Sequence, residues 1–243
     1  KKNIYIYNHA LSKIDYENVI GKLKSLGFSS INNEGDYKLR IQNEYIHPHK
    51  GTFMTSNIRT EINGYVGIQS YCKNNNIKAL LESYKVPGGI QFYRKEKFRY
   101  DNTQIQPIYF NDFNFRVGYN KETMLKEHSG IIRDIIDTWD KSKKIFRYLN
   151  RVTMTHPDIP INVDLSIVKT SANYKLAYTT TEARVFESDE TIEIELEIDN
   201  NRIGPGTAFD SAEKVLLSLR KSIKYILMGL QGSNYPVSYP ELH

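Results

Sequence analysis

The stretch that decides the fold runs from residue 192 to residue 198 and reads Ile192-Glu-Ile-Glu-Leu-Glu-Ile198. Apolar and acidic residues alternate with a period of two, which predicts a β-strand with one apolar face and one carboxylate face. Glutamate is depleted in strands, so three glutamates on one face need a physical reason. Same-face neighbours lie about 6.6 Å apart, and carboxylates at that spacing repel one another. We therefore expect cations opposite this strand: arginines on facing strands, a divalent metal ion, or both.

Other segments of the chain show the same alternation, and their polar faces are rich in Arg, Asp and Asn. These segments span residues 37–42, 58–62, 113–120, 146–154 and 161–167. One interpretation is an antiparallel sheet whose polar face, a ladder of Glu and Arg, lies in water. The apolar faces are bulky, however, and they need to be covered by other elements.

Helical periodicity supplies that cover. It predicts amphipathic helices at residues 16–26, at residues 122–139 and after Asp210, and a shorter helix at residues 65–72. The Asp210 carboxylate is expected to cap the last long helix, with Glu213 three residues further on. The economical architecture is an α+β fold: an antiparallel β-barrel with a charged interior and amphipathic helices packed outside. With no repeat and no Pro/Gly-rich linker, residues 1–243 are expected to form a single domain.

Composition narrows the class of protein without identifying a ligand. A hydrophobic content of 40% allows a substantial core, and the net charge of +5 is compatible with a polyanionic partner but too small to require one. Cys72 is the only cysteine, so an intrachain disulfide is excluded and a reducing, intracellular compartment is expected. No apolar run approaches the roughly 20 residues of a membrane helix, so we expect no membrane partner.

The glutamate strand resembles the last glutamate strand of the triphosphate tunnel metalloenzymes. The order of motifs is similar to that of the RNA 5′-triphosphatase domain of fungal and large-DNA-virus mRNA capping enzymes, over about residues 40–230. The resemblance rests on Phe-Arg-Val-Gly-Tyr-Asn-Lys-Glu at 115–122, Arg-Tyr-Leu-Asn-Arg-Val-Thr at 147–153 and Val-Asp-Leu-Ser-Ile-Val-Lys at 163–169. Ser-Asn-Ile-Arg-Thr-Glu-Ile-Asn-Gly at 56–64 is similar to viral members in particular.

The resemblance implies metal-dependent removal of the γ-phosphate from the 5′-triphosphate end of RNA, the first step of cap formation. It places Mg²⁺ or Mn²⁺ on Glu193, Glu195 and Glu197, the last glutamate strand. It makes Arg116 and Arg151 ligands of phosphate oxygens.

The resemblance gives three further residues interior positions: Asp164 and Ser166 as supporting groups, and Glu122 as the candidate for orienting the attacking water. If the chain is a viral member, its expected location is the host cytoplasm or the virion. Guanylyltransferase and methyltransferase domains are expected to follow residue 243.

The chain departs from the family pattern at two places. The family has an earlier strand with a Glu-x-Glu pair that completes the metal site, and no such pair precedes Glu193; we expect it upstream of Lys1. Leu149 stands where the pattern usually has a lysine, so another cation is needed, with Lys38, Arg40 and Arg59 as the candidates.

Three functions remain open at this point: an RNA triphosphatase, a tunnel enzyme acting on inorganic triphosphate or nucleoside triphosphates, and a non-catalytic RNA-binding barrel.

Overall fold

The computed structural model describes residues 10–32, 35–47 and 49–242, and it has the expected α+β composition. No helix in these ranges is long and apolar enough to cross a membrane. The helices are, in chain order, α1 (Lys13–Ser25), α2 (Tyr65–Asn74), α3 (Ile77–Ser83), α4 (Gly130–Asp137), α5 (Ala212–Gln231) and α6 (Tyr239–Leu242). The helices predicted at residues 16–26, at 65–72 and after Asp210 are confirmed as α1, α2 and α5.

The strands are mostly short at the edges and long in the centre of the sheet. They are, in chain order, β1 (Ser29–Ser30), β2 (Asp36–Ile46), β3 (Phe53–Thr55), β4 (Ile58–Asn63), β5 (Ile90–Lys97), β6 (Arg99–Tyr100), β7 (Thr103–Gln104), β8 (Ile108–Phe110), β9 (Phe115–Val117), β10 (Asn120–Leu125), β11 (Lys144–His156), β12 (Ile159–Thr170) and β13 (Thr191–Ile198).

One antiparallel sheet contains nine of these strands, in the order β10-β5-β4-β2-β11-β12-β13, with β1 beside β11 and β3 beside β2. The sheet curls strongly. The charge of Glu122 on β10 contributes to the raised pKa of Glu197 on β13, although β10 and β13 are the two ends of the sheet. Their polar faces therefore look at each other across the interior. The predicted antiparallel β-barrel is confirmed as a strongly curled sheet that forms a half-barrel, in which no ladder joins β10 to β13 within the described ranges.

The helices cover the convex side of the sheet. Helices α1 and α5 pack on the apolar faces of β12 and β13, around Val19, Leu23, Val163 and Leu165. Helices α2 and α3 pack with Trp139 on the apolar faces of β2, β4 and β11. The opposite face of the central strands is mostly polar, apart from Leu149 and Val168, and lines the concave side. The predicted charged interior and outer helices are therefore present.

Two predicted elements were wrong in their bounds. The helix expected at residues 122–139 begins only at Gly130, because residues 120–125 pair with β5 as an edge strand. The strand expected at residues 113–120 is interrupted at Asn114, whose φ of 52° is left-handed and breaks the extended backbone. Its remaining part is β9, which pairs with β8 in a separate two-stranded sheet.

The cap predicted for the last long helix was also wrong. Ser211, rather than Asp210, caps α5, since its side chain accepts a hydrogen bond from the backbone N–H of Lys214. Asp210 contacts the Lys214 ammonium instead, at 2.8 Å.

The close approach of α1 and α5 depends on a glycine. A Cβ on Gly229 would lie 2.9 Å from Cα of Val19, which is closer than real Cβ atoms come, so the two helices would have to separate. We expect Gly229→Ala to lower the free energy of unfolding by about 1 to 3 kcal/mol, the usual cost of overpacking. Urea denaturation checks this.

Gly21 is the matched control, because it lies in α1 with no atom within 4 Å of its would-be Cβ. Gly21→Ala should stabilise the protein by roughly 1 kcal/mol, from the better helix propensity of alanine. Equal effects of the two substitutions would contradict the close packing of these helices.

Candidate functional site

The pairing of β11, β12 and β13 stacks the polar side chains of three strands into two rows. Arg151 lies opposite Ser166, which lies opposite Glu193; Thr153 lies opposite Asp164, which lies opposite Glu195. Directly opposed residues in an antiparallel pair point to the same face. This register brings the basic strand, the Asp-x-Ser strand and the glutamate strand together on the concave side.

Arg151 is the centre of this arrangement and is only 7% exposed. Its guanidinium Nη1 donates to Asp164 Oδ2 at 2.5 Å, Nη2 donates to Glu195 Oε2 at 2.5 Å, and Nε donates to Ser166 Oγ at 3.0 Å. Burial lowers the pKa of Arg151, but attraction to Asp164 and Glu195 outweighs burial, and the net pKa is raised. A buried arginine thus neutralises two carboxylates on different strands.

Asp164, Glu195 and Glu197 each offer a carboxylate oxygen, and these three oxygens lie within 4.8 Å of one another. The pKa of Glu197 is raised, first by burial and then by the negative charge of Asp164. Asn162 lies opposite Glu197 on the same face, and its Oδ1 is buried with no hydrogen-bond partner among the described residues. An all-oxygen donor set in which Glu197 has no ion pair among the described residues fits a hard divalent cation such as Mg²⁺ or Mn²⁺.

The other half of the concave face is basic. Glu61 is 3% exposed and contacts Lys38 at 3.2 Å, Arg40 at 2.8 Å and Arg59 at 3.6 Å. The pKa of Glu61 is lowered, because these cations overcome its burial. The pKa of Arg40 is lowered as well, by burial and by the positive charges of Arg59 and Arg151. Crowded cations of this kind attract an anion.

A second contact links this basic half to the edge strand β10. Arg59 donates two hydrogen bonds to the Glu122 carboxylate, at 3.1 and 3.0 Å, and Lys95 contacts the same carboxylate at 3.3 Å. The concave face therefore runs from an acidic end on β12 and β13 to a basic centre on β2 and β4. It ends at a carboxylate on β10 that faces back toward Glu197.

The structure brings most of the predicted site residues onto this face. Glu195 and Glu197 lie in the carboxylate group, with Asp164 as its third member. Glu193 lies one row away and forms an ion pair with Arg147, so its role as a metal ligand stays a prediction. Leu149, where the family pattern usually has a lysine, lies on the same face, directly opposite Lys38.

Arg116 is not part of this face. It lies on β9, in the separate two-stranded sheet, and is exposed, with no ion pair to any carboxylate of the described ranges. Its strand pairs with β8 and not with the nine-stranded sheet, and its role as a ligand of phosphate oxygens stays a prediction.

Glu61, Arg147 and Asn162 were missed as site residues. Glu61 and Arg59 stand two residues apart in an alternating strand, a signal of a shared face that could have pointed to Glu61.

The two neighbouring glutamates Glu195 and Glu197 should respond to pH with opposite signs. The folded pKa of Glu197 lies above its ordinary 4.5, so its stabilising contribution is complete below that pH and is lost as pH rises through the folded pKa. Glu197→Gln should therefore be more stable than the parent at about pH 7.

Glu195 is the matched comparison. Its folded pKa is lowered, with Arg151 overcoming burial, so its contribution is present above 4.5 and is lost as pH falls through the folded pKa. Glu195→Gln should be less stable than the parent at about pH 7. Urea denaturation across a pH series measures both, and a destabilised Glu197→Gln at that pH would contradict the shared carboxylate group.

Comparison with known proteins gives matches in structure only. No protein-family model matches the chain, and no curated protein matches it in sequence. Among solved structures, the chain is similar to the S. pombe Pct1 RNA triphosphatase, with 12% identity and a TM-score of 0.45 over 89% of this chain and 70% of that chain. It is also similar to the structure of S. pombe Pct1 RNA triphosphatase in complex with the Spt5 CTD, with 12% identity and a TM-score of 0.37 over 79% of this chain and 57% of that chain.

Proposed function

We propose that this chain is a metal-dependent RNA 5′-triphosphatase, which hydrolyses the γ-phosphate of triphosphate-ended RNA in the first step of mRNA cap formation. One observation carries the proposal: a group of three carboxylates adjoins the buried Arg151 and a cluster of partly buried arginines and a lysine on one concave face. Polyphosphate hydrolysis needs both halves, because a cation-binding group and fixed positive charges must act on the same phosphoryl group. The motif order that resembles capping enzymes supports the RNA end as the substrate.

Asp164, Glu195 and Glu197, with Asn162 beside them, would hold the divalent cation. When bound, such an ion polarises a phosphoryl oxygen and supplies a bound water as a nucleophile. The chain's own cations do the rest of the electrostatic work: Arg40 and Arg59 neutralise charge on the phosphate oxygens.

The guanidinium groups can grip two oxygens at once, whereas a lysine offers one point charge. The family pattern usually has a lysine where this chain has Leu149. Lys38, which lies opposite Leu149 and beside Arg40, supplies that positive charge instead.

Glu122 is the candidate for orienting the attacking water. Its carboxylate is held by Arg59 and Lys95, which fix its orientation, and it lies on the edge strand that faces Glu197 across the interior. A carboxylate in this place accepts a hydrogen bond from water on the side of the phosphate opposite the leaving group. An in-line displacement requires that geometry.

The carboxylate group should be indispensable for phosphate release. We expect Glu195→Gln and Glu197→Gln each to reduce kcat for γ-phosphate release from triphosphate-ended RNA by about a hundredfold or more, as removal of one electrostatic group typically does. Release from GTP and from tripolyphosphate is measured alongside, which separates an RNA enzyme from a small-substrate enzyme.

Glu190 is the matched control. It lies just before β13, 59% exposed, and contacts only Lys169, at 3.7 Å, among the described residues. Glu190→Gln should retain the parent rate. Near-normal rates in Glu195→Gln and Glu197→Gln would leave the non-catalytic polyanion-binding barrel as the better description.

The effect of an arginine on kcat/KM should depend on whether it lies on the concave face, and not on whether it belongs to a family motif. Arg59→Gln removes a charged contact in the basic half and should lower kcat/KM about tenfold to a hundredfold, the equivalent of a charged hydrogen bond. Arg116→Gln should change kcat/KM less than about threefold, because Arg116 lies off this face. A larger loss for Arg116→Gln than for Arg59→Gln would restore the motif-based assignment.

A further inference from the structure

The ion pairs on the concave face balance one another. Among the described residues that form ion pairs there or belong to the carboxylate group, six are cations and six are carboxylates: Lys38, Arg40, Arg59, Lys95, Arg147 and Arg151, and Glu61, Glu122, Asp164, Glu193, Glu195 and Glu197. A polyphosphate that entered alone would add several negative charges to a partly desolvated surface that already carries carboxylates. A divalent cation that entered alone would find Asp164 and Glu195 already paired with Arg151. Each ligand therefore binds less favourably alone than together with the other.

Arg151 is the residue on which the binding of both ligands depends. Its two Nη atoms take one oxygen each of Asp164 and Glu195, two of the three carboxylates that could hold a divalent cation. The second oxygen of Asp164 accepts a hydrogen bond from Thr153 Oγ1 at 2.6 Å, so both oxygens of Asp164 already have protein partners. A guanidinium therefore stands where a metal ion would supply positive charge.

Arg151 can also act on a bound phosphate. Its Nε is tethered to Ser166, which is fully buried, so the base of the guanidinium keeps its place while the Nη atoms exchange partners. Arg40, a cation of the basic half, lies on the same face, directly opposite Arg147 on the strand of Arg151, and the charge of Arg151 contributes to its lowered pKa. A phosphate held by Arg40 would be within the influence of Arg151.

We propose that Arg151 couples the binding of the divalent cation to the binding of the phosphate. The cation replaces the guanidinium as the counter-charge of Asp164 and Glu195, and the released Nη atoms donate to a phosphate oxygen. Conversely, an oxyanion that takes the Nη atoms uncovers the two carboxylates for the cation. Each ligand thus raises the affinity for the other by the same factor, as linkage requires. The proposal rests on the proposed function only for the identity of the two ligands.

Direct binding measurements test the coupling without turnover. Mn²⁺ binding is followed by the EPR signal of free Mn²⁺, with and without inorganic sulfate as the oxyanion. In the parent protein, saturating sulfate should tighten Mn²⁺ binding about tenfold or more, within the usual range of coupling between sites. In Arg151→Gln, Mn²⁺ alone should bind about tenfold more tightly than in the parent, because the carboxylates have lost their counter-charge, and sulfate should no longer matter.

Arg147→Gln is the matched control, since Arg147 lies on the same strand and face but contacts Glu193 alone among the described carboxylates. It should keep the tightening by sulfate. Loss of the effect in both variants would mean that overall charge, and not Arg151, is responsible.

Arg151→Lys keeps the charge but cannot bridge two carboxylates, so it should bind Mn²⁺ as the parent does and show weaker coupling. This variant tests the proposal even if Arg151→Gln is poorly folded.

If Mn²⁺ replaces the guanidinium as the coupling requires, Mn²⁺ should raise the Tm of Arg151→Gln more than that of the parent. A purely structural role of Arg151 predicts no such difference between the two proteins. Equal Mn²⁺ affinity with and without sulfate in the parent would overturn the coupling. A coupled parent that releases no phosphate from triphosphate-ended RNA would instead overturn the proposed function alone.

Discussion

The contact between Arg151 and its two carboxylates is the constraint on which the concave face depends. A guanidinium that is 7% exposed has lost most of its water, and only partners of opposite charge with good geometry offset that cost. Asp164 and Glu195 supply two such contacts from two neighbouring strands, and the Ser166 hydroxyl accepts a third hydrogen bond. Charge-assisted hydrogen bonds of this length are among the strongest in proteins. Any strand arrangement that separated these groups would leave a buried charge unpaired.

The same contact determines what lies on the outside of the sheet. Because side chains alternate along a strand, the residues between the glutamates of β13 must point to the other face. There Ile194 and Leu196 pack with the residues of α1 and α5. A register slip of one residue would carry the glutamates into this apolar core and the isoleucines onto the polar face. The helices outside and the ion pairs inside therefore specify a single register.

Much of this could be predicted from local sequence, and the reasons for success and failure are physical. Residues 192–198 alternate without interruption, and residues 147–153 alternate except at Leu149 and Asn150, so both strands and most of their polar faces were predictable. The segment 113–120 alternates as well, but Asn114 adopts a left-handed backbone that no periodicity reveals. The strand that follows, β9 with Arg116, pairs with β8 outside the nine-stranded sheet.

Which carboxylates meet could not be predicted from spacing within a strand. The sequence of β13 offers Glu193, Glu195 and Glu197 equally, and only the pairing with β12 selects Glu195 and Glu197 to join Asp164. Pairing register is a property of two distant segments. For the same reason Glu61 was overlooked, because its three cations come from β2 and β4 together.

The half-barrel ends at two edge strands, β10 and β13, within the described part of the chain. An edge strand presents unpaired backbone groups and is a template for pairing with another chain. A foreign strand added at β13 would have to place its side chains beside Glu193, Glu195 and Glu197. A strand added at β10 would meet Glu122 on the concave face and Lys121 on the opposite face. The charges on these edge strands thus also disfavour edge-to-edge association. A variant that neutralises the glutamates loses this repulsion, and its β13 edge associates more readily with other strands.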